Sequence, residues 1–329
     1  MLRRTLSALA VVSMLATTGI ARASAAEGTG VRVLDVMTFN IHHAQGTDDV
    51  LDLQRIADVV KESGADVVGL QEVDNHYSGR SNWADQPAEL AAMLGYHVVF
   101  GANIDNNPPT PGGHRIQYGT AILSRYPITE WDNTWLYKSP GQEQRGLLHA
   151  TLDVRGKAVH FYCTHLAASS QIDRLHQAPQ LVDLIGDTDP SILVGDFNAV
   201  PSAPESQPLQ TSYTDAWTEA GHGDGMTFPA EGPTERIDDI YTTDEVKPVV
   251  TRVLHADPTA SDHVPVISRM VVAPDEASSR VRGDPGLQGS AGSLQACVAR
   301  RPGWGGSWRA GIAVSRCLWT KWRAPPSET

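Results

Sequence analysis

The sequence contains few cysteines, 3 in 329 residues, at Cys163, Cys297 and Cys317. The cysteines are too far apart to form the closely spaced Cys/His pairs of a zinc site, so the sequence predicts no such site. It also lacks a glycine-rich loop of the kind that binds nucleotides. Cys163 lies inside an apolar run and is expected to be a small buried side chain. Cys297 and Cys317 would be able to form a disulfide only in an oxidising compartment.

Basic charge is also scarce. The full chain has 26 lysines and arginines against 38 acidic residues, and a formal net charge of −12. Residues 27–274 alone hold 34 acidic and 15 basic side chains, which gives that segment a charge of −19. Such a body repels polyanions at long range and disfavours tight, sequence-independent binding of nucleic acid, although divalent ions and a few arginines can reverse the field locally.

The apolar stretch at residues 6–20 is shorter than the ~20 residues that a membrane span requires. It follows Arg3 and Arg4 and precedes a run of small residues, which is the layout of a cleaved secretory signal. We therefore expect residues 1–26 to be a signal peptide and the mature protein to be secreted and extracellular. The arginine pair leaves the export route open.

Residues 275–329 differ in composition from the rest of the chain. Gly, Ser, Arg and Pro dominate there, with 8 basic and 4 acidic side chains, and no amphipathic period survives. We expect a low-complexity, disordered tail. Two interpretations stay open: a tail that contacts a membrane or cell wall, and a non-native extension.

Three segments have the periodicity of helices. Apolar residues recur at helical spacing over residues 53–60, and Gly64 follows as a stop. A second helix opens at Asp85 and ends at Gly95. A third helical face further along contains Pro179, which should kink or split that helix.

Residues 27–274 are expected to fold as one domain with a mixed sheet and outer helices. Short apolar runs predict strands at residues 32–39, 66–70, 97–100, 120–123, 147–154, 158–164 and 192–194. Turn residues separate the runs at 147–154 and 158–164, so these two strands should pair antiparallel.

Six polar motifs occur along this domain, most of them at the end of a short apolar run. They are Thr38-Phe39-Asn40-Ile41-His42, Leu70-Gln71-Glu72-Val73, Thr164-His165, Gly195-Asp196-Phe197-Asn198, Arg236-Ile237-Asp238-Asp239-Ile240 and Ser261-Asp262-His263. Carboxylates, amides and histidines that converge at strand ends suit a divalent metal beside an activated water, which is the chemistry of phosphoester hydrolysis.

In their order, the six motifs resemble the endonuclease/exonuclease/phosphatase superfamily, which includes deoxyribonucleases, sphingomyelinases and inositol polyphosphate phosphatases. The match runs from about Val31 to about Val272. The resemblance implies an α+β fold, a four-layer α/β/β/α sandwich of two stacked, mixed and mainly antiparallel sheets. It specifies the superfamily and not the substrate.

A carboxylate at the end of a buried strand, as expected for Glu72, needs a cation or several donors, and a salt bridge to an arginine is the alternative to a metal. By resemblance, Glu72 is the principal metal ligand. The resemblance also places Asn40 on the metal or its water, and Asp262 near the metal.

The catalytic candidates are five. By resemblance, Asp196 holds or deprotonates the attacking water, Asn198 stabilises phosphoryl oxygens, and His165 contacts the phosphate. An Asx turn is the alternative for the first two, and a satisfied half-buried histidine for the third. By resemblance, Asp238 pairs with His263, and an imidazole between acids suits a general base or a phosphate-orienting cation.

Substrate contacts are expected from Arg145, which begins a strand, and from Tyr118 in a mobile loop. His42 and His43 stand where nuclease-like relatives often carry an acid or an amide. They either bind phosphate when protonated or are plain loop residues. Asp239 stands where the family commonly has an aromatic residue, and it is either a solvated strand residue or a second metal contact.

These observations predict a secreted phosphoesterase that uses Mg²⁺, or alternatively Mn²⁺ or Ca²⁺, for in-line attack by water. The acidic body favours a phospholipid or small phosphoester as substrate. An extracellular DNA or RNA endonuclease of the same superfamily is the alternative, and a non-catalytic surface-binding module is a third reading. We expect a monomer with no protein partner, apart from surface contact by the tail.

Overall fold

The computed structural model describes residues 30–274. The predicted signal peptide, residues 1–26, and the predicted tail, residues 275–329, lie outside the described residues, as do Cys297 and Cys317. The described residues fall within a single compact unit, and none of their helices is long and apolar enough to cross a membrane.

The described residues form five α-helices, twelve strands and three short 3-10 helices at His42–Ala44, Gly79–Ser81 and Pro204–Ser206. The helices are α1 (Leu53–Ser63), α2 (Gln86–Leu94), α3 (Gln171–Ile185), α4 (Gln207–Ser212) and α5 (Ala216–Ala220). The strands are β1 (Arg32–Asn40), β2 (Val67–Asn75), β3 (His97–Asn106), β4 (Ile116–Ser124), β5 (Ile128–Trp135), β6 (Gly146–Val154), β7 (Lys157–His165), β8 (Ser191–Asp196), β9 (Thr214–Asp215), β10 (Asp238–Thr242), β11 (Val246–Val253) and β12 (Val266–Val272).

The helix ends follow the local sequence signals. The Asp52 carboxylate accepts the backbone N–H of Arg55 at the start of α1, and Gly64 ends that helix with a left-handed φ of 71°. The Asp85 side chain caps α2 in the same way, and Gly95 ends it. Both predicted helices are therefore confirmed.

The predicted split at Pro179 is wrong, because α3 is one helix from Gln171 to Ile185, and a kink there stays a prediction. A proline removes the hydrogen bond to the carbonyl four residues earlier. That carbonyl belongs to Leu175, an exposed residue, so solvent can satisfy it.

Two six-stranded sheets carry the fold, in the orders β11-β12-β1-β2-β4-β3 and β5-β6-β7-β8-β10-β9. Each sheet has one parallel pair near its centre, β1 with β2 and β7 with β8, and the other pairs are antiparallel. The predicted β6–β7 hairpin is among them.

Three apolar cores separate four layers. The core between the sheets contains Val36, Leu148 and Phe161. A second core packs α1 and α2 on the outer face of the first sheet, and a third packs α3 and α4 on the outer face of the second. The four-layer α/β/β/α sandwich is therefore confirmed.

Candidate active site

The two parallel strand pairs bring the polar motifs to one edge of the sandwich. In the first sheet Asn40 lies beside Gln71, and in the second His165 lies beside Asp196. Asp238 begins β10 directly opposite Asp196. Because the carboxyl ends of parallel strands share an edge, residues remote in sequence meet there.

Glu72 sits at a β-bulge. The register of β2 with β4 shifts between Leu70 and Val73, and Glu72 has a left-handed φ of 59°. The bulge frees this residue from the regular pleat, so its half-buried carboxylate reaches Asn40, whose Nδ2 donates to Glu72 Oε1 at 3.3 Å.

Asn40 connects the two sheets. Its Nδ2 also donates to Asp196 Oδ2 at 3.0 Å and lies 3.5 Å from His263 Nε2. Its Oδ1 accepts the backbone N–H of His42 at 3.1 Å. The buried amide therefore links the Glu72 and Asp196 carboxylates.

His263 is held by acids. Its Nδ1 donates to Asp238 Oδ2 at 2.9 Å, and its Nε2 lies 3.7 Å from Asp196 Oδ2. Burial disfavours the imidazolium, but the charges of Asp238, Asp196 and Asp262 outweigh burial and raise the pKa of His263 to about 10. His263 is therefore a cation at neutral pH, which fits the predicted phosphate-orienting role and not that of a general base.

The Asp196 carboxyl is almost fully buried. Burial, followed by the charge of Asp238, raises the pKa of Asp196 to about 7. A carboxyl whose pKa lies near neutrality is suited to exchange a proton with water. The buried Oδ1 of Asp238 has no hydrogen-bond partner, so this acid has unused capacity for a donor or cation.

His165 is buried between Arg145 and Asp196. Arg145 Nη1 lies 3.0 Å from its Nδ1, and its Nε2 lies 3.4 Å from Asp196 Oδ2. Burial, with the positive charges of Arg145 and His263, holds the pKa of His165 well below its usual range, so this imidazole is neutral. Arg145 also pairs with Glu143 at 2.8 Å, and its buried Nε has no hydrogen-bond partner.

Two further candidates, Asn198 and Tyr118, lie at the site. Asn198, with a left-handed φ of 49°, donates its Nδ2 to the carbonyl of Leu166 at 3.1 Å, and its backbone N–H donates to Asp196 Oδ1 at 2.9 Å. Asp196 and Asn198 therefore form an Asx turn and also lie at the candidate site. The prediction that Tyr118 lies in a mobile loop is wrong, because the residue is buried in β4. Burial, with the charge of Glu72, raises the pKa of Tyr118, so the phenol stays protonated.

Asp262 and Asp239 lie next to the buried group that Asp196, Asp238 and His263 form. The Asp262 carboxylate is 40% exposed and lies at the rim, 3.9 Å from His42 Nδ1, outside that group. Asp239 is buried and pairs with Arg236 at 3.3 Å, so the prediction of a solvated residue is wrong.

The surroundings of His43 disfavour the protonated form that phosphate binding would require. Burial, followed by the charge of Arg80, lowers its pKa and keeps it neutral. The Cys163 prediction is confirmed: the thiol is free and buried, and burial raises its pKa to about 12.

Comparison with known proteins identifies the fold family. The model of the Endonuclease/Exonuclease/phosphatase family matches residues 37–263, which include every motif described above. The chain belongs to this family.

Individual members are similar along most of their length. The Escherichia coli protein YbhP is 30% identical over 248 residues, 70% of this chain and 93% of its own. The crystal structure of an endonuclease/exonuclease/phosphatase from Beutenbergia cavernae matches with a TM-score of 0.61 and 30% identity, over 74% of this chain and 72% of that one. A mannosyl-6-phosphatase from Bacteroides thetaiotaomicron shares the fold, with a TM-score of 0.57 and 21% identity over 72% of this chain and 99% of that one.

Members of the endonuclease/exonuclease/phosphatase family hydrolyse phosphoester bonds and depend on divalent metals. The donor set of this chain fits such an ion. Glu72 is a half-buried carboxylate with no arginine partner among the described residues, and Asp238 has an unpaired buried oxygen. Oxygen donors of this kind are the ligands that hard divalent cations prefer.

Sequence reasoning missed several residues at the site. Ser261 donates to the carbonyl of Asn40 at 2.7 Å and accepts the backbone N–H of His263 at 3.3 Å, so it positions both. Arg80 pairs with the buried Asp74 and lies over the Tyr118 ring. Ser261 opens the Ser-Asp-His motif and was detectable, whereas Arg80 lies in a loop without any motif.

Proposed function

We propose that this chain is a secreted, metal-dependent phosphoesterase that hydrolyses a phospholipid or small phosphoester by in-line attack of water. The observation that carries the proposal is the hydrogen bond between Asp238 and the His263 imidazolium beside the buried carboxyl of Asp196. It places a fixed positive charge next to a carboxyl with a pKa of about 7.

Asp196 is the proposed acceptor of the proton from the attacking water. In its ionised form Oδ2 accepts from Asn40 and faces the Nε2 atoms of His165 and His263. These donors orient the carboxylate while the water oxygen bonds to phosphorus and the bond to the leaving oxygen breaks.

Three groups hold the phosphoryl oxygens in this proposal. Arg145 has an unpaired buried Nε, His263 is a cation, and Asn198 lies beside Asp196. Preorganised donors of this kind stabilise the charge that develops in the transition state. A divalent cation bound by Glu72, with Asn40 adjacent, would neutralise part of that charge, and Mg²⁺ is the ion that the carboxylates alone favour.

Local charge supports a small substrate over a polynucleotide. Arg145 is paired with Glu143, and Arg80 forms two hydrogen bonds with Asp74, so neither arginine adds a net positive charge. The domain charge of −19 acts in the same direction. The mannosyl-6-phosphatase from Bacteroides thetaiotaomicron shows that the same fold occurs in a phosphatase, and its similarity to this chain extends to the fold alone.

An extracellular nuclease is the second candidate, and one observation favours it. The Tyr77 and Tyr118 rings lie 5.6 Å apart, with the Arg80 guanidinium 4.5 Å from the Tyr77 centroid and 5.3 Å from that of Tyr118. Because Tyr118 is buried, the half-buried Tyr77 ring and the exposed Arg80 guanidinium are the groups open to a base, and an aromatic ring with an arginine can stack on one.

One experiment distinguishes the two candidates. The purified protein is incubated with Mg²⁺ and either supercoiled plasmid or a chromogenic phosphodiester and phosphomonoester, with EDTA and His263→Ala as negative controls and the exposed His255→Gln as the matched control. We expect turnover of a small ester that EDTA and His263→Ala abolish and His255→Gln retains. Plasmid nicking with the same dependence would instead establish the nuclease.

Secretion is proposed from residues 1–26 alone. Expression in a secreting bacterial host, followed by N-terminal sequencing of the protein in the medium, tests it. A mature N-terminus near residue 27 is the expected result, and retention of an uncleaved chain in the cell would refute secretion.

A further inference from the structure

Two histidines stand beside the Glu72 carboxylate. One potential ligand atom from each of His42, His43 and Glu72 lies within 4.8 Å of the others. His43 is buried, whereas His42 and Glu72 are half-buried at the rim, so the group borders solvent. This group is separate from Asp196, Asp238 and His263, which form a second set of the same kind.

A chain of hydrogen bonds determines which nitrogen of His43 is free. The Gln45 Nε2 donates to Asp49 Oδ1 at 3.1 Å, so the Gln45 Oε1 faces His43 Nε2 at 3.2 Å as an acceptor. His43 Nε2 therefore carries the proton, and its Nδ1 carries the lone pair. That Nδ1 is buried and has no hydrogen-bond partner.

The neighbouring His42 is oriented by the same residue. Its Nδ1 lies 3.2 Å from the Gln45 carbonyl and 3.9 Å from Asp262 Oδ1, and both groups only accept hydrogen bonds. The proton of the neutral imidazole therefore sits on Nδ1 and the lone pair on Nε2. Histidines that bind metals characteristically donate their other N–H to a carbonyl or carboxylate in this way.

The backbone is constrained to present these side chains. His42, His43 and Ala44 form a left-handed turn, with φ of 43°, 44° and 65°. Non-glycine residues in this region are strained and persist where surrounding contacts hold them. The Gln86 Nε2 donates to the His43 carbonyl at 2.7 Å, and the His42 N–H donates to Asn40.

We propose that His42, His43 and Glu72 bind one divalent transition metal, such as Mn²⁺, Co²⁺ or Zn²⁺, in preference to Mg²⁺. Imidazole nitrogen suits these ions, whereas Mg²⁺ prefers oxygen ligands and keeps most of its waters. The role of the metal rests on the proposed function, because Glu72 belongs to the proposed catalytic site. The inference adds which class of ion that site binds.

Metal binding, and not turnover, tests the proposal. The protein is freed of metal with a chelator and titrated with Co²⁺ by visible spectroscopy and with Mn²⁺ and Mg²⁺ by calorimetry. The variants are His42→Gln, His43→Gln and Gln45→Ala, the last of which keeps both imidazoles but removes the acceptor of the His43 Nε2 proton. His255→Gln, at an exposed histidine, is the matched control, and the Tm of each variant reports folding.

We expect the wild type to bind Mn²⁺ and Co²⁺ at least about 10-fold more tightly than Mg²⁺. Each histidine variant should lose about 10- to 100-fold in Co²⁺ and Mn²⁺ affinity with little change for Mg²⁺, and Gln45→Ala should lose a similar or smaller factor. The Co²⁺ spectrum should change in the histidine variants and stay unchanged in His255→Gln.

Equal affinity for Mg²⁺ and Mn²⁺, or histidine variants that bind Co²⁺ as the wild type does, would overturn the inference. That result would leave the phosphoesterase proposal intact, because turnover with Mg²⁺ would still support it. Conversely, histidine-dependent Co²⁺ binding by a protein that hydrolyses none of the esters would overturn the proposed function and not the metal site. If one histidine variant has a lowered Tm, the Co²⁺ affinities of Gln45→Ala and of the other histidine variant decide whether the inference holds.

Discussion

The Arg145 guanidinium determines the tautomer of His165. Arg145 Nη1 lies 3.0 Å from His165 Nδ1, and a guanidinium can only donate hydrogen bonds. Nδ1 must therefore be unprotonated, and the proton of the neutral imidazole lies on Nε2, which faces Asp196 Oδ2 at 3.4 Å. His165 is thus a donor to the proposed water-activating carboxylate.

Replacing Arg145 with methionine should release this constraint. We expect the pKa of His165 to rise in Arg145→Met, since one positive charge is removed, but to stay below 6.5 because burial is the larger cause of its lowering. The Nδ1–H tautomer should also appear. Nitrogen-15 NMR of the imidazole measures both quantities.

Arg115→Met is the matched control, because Arg115 is an exposed arginine that also pairs with an acid, Asp105. An unchanged His165 tautomer and pKa in Arg145→Met would contradict the role of the guanidinium.

The Asp238→Asn variant tests the charge on His263. The raised pKa of His263 stabilises the fold fully below its unfolded value of 6.5, and this contribution is lost as pH rises toward about 10. The wild type should therefore exceed Asp238→Asn in stability most at pH 6 and progressively less at pH 8 and 9.5. Urea unfolding at the three pH values measures the difference.

Asp244→Asn, at an exposed residue, controls for a simple change in net charge. A stability difference between wild type and Asp238→Asn that grows with pH would show that Asp238 does not hold His263 protonated. The chemical step should also fall at least about 10²-fold in Asp238→Asn, the effect typical of losing a positioned acid/base group.

Glu72→Gln tests the metal site with a change of one atom. The amide keeps the shape of the side chain but removes the negative charge, so divalent cations should bind far more weakly and kcat should fall at least about 10²-fold. The Tm without metal should change little, because the carboxylate accepts a single long hydrogen bond, at 3.3 Å, from Asn40. Calorimetry with and without metal measures both effects.

The exposed Glu62→Gln is the control for Glu72→Gln. Full activity and unaltered cation affinity in Glu72→Gln would remove Glu72 from the mechanism.

Gly69, the glycine of β2, lies directly against β7 and β8 of the second sheet. A Cβ atom there would collide with Val194 Cγ2 and crowd Cys163 Sγ. Gly69→Ala should therefore cost ~1–3 kcal/mol of unfolding free energy through overpacking. Gly30→Ala, where no atom lies within 4 Å, is the control.

A double variant sharpens the Gly69 prediction. Val194→Ala removes the clashing methyl groups, so Gly69→Ala with Val194→Ala should lose less stability than the sum of the two single variants. Additive losses in denaturant unfolding would show that the sheets separate and do not clash.

Local sequence signals predicted α1 and α2, because each has its own cap and stop, whereas the short helices α4 and α5 were not predicted. Strands were found where apolar runs are continuous, as in β6 and β7, but their ends were placed too early in β2 and β3, which run to Asn75 and Asn106. Polar residues continue those strands because the partner strand supplies their backbone hydrogen bonds, which local propensity does not report. Pro179 did not split α3, and the carbonyl that loses its helical partner belongs to Leu175, an exposed residue.

The sequence predicted which residues form the site better than it predicted the contacts between them. The motifs identified Asn40, Glu72, Asp196, Asp238 and His263, which the fold brings to one edge. Nothing in the motifs predicted that Asp262 lies at the rim or that Arg236 pairs with Asp239, because these depend on which face of a strand or loop each side chain takes.

The sequence by itself determined the caps, the apolar strands, the acidic charge and the ordered motifs, because each is a local property of neighbouring residues. Only the tertiary structure decided which nitrogens carry protons on His43, His165 and His263, and that the pKa of His263 is raised while that of His165 is lowered. The two imidazoles lie on opposite sides of Asp196, one beside Asp238 and the other beside Arg145. Protonation depends on burial and on charges that residues distant in sequence bring within a few ångströms, so packing alone assigns these roles.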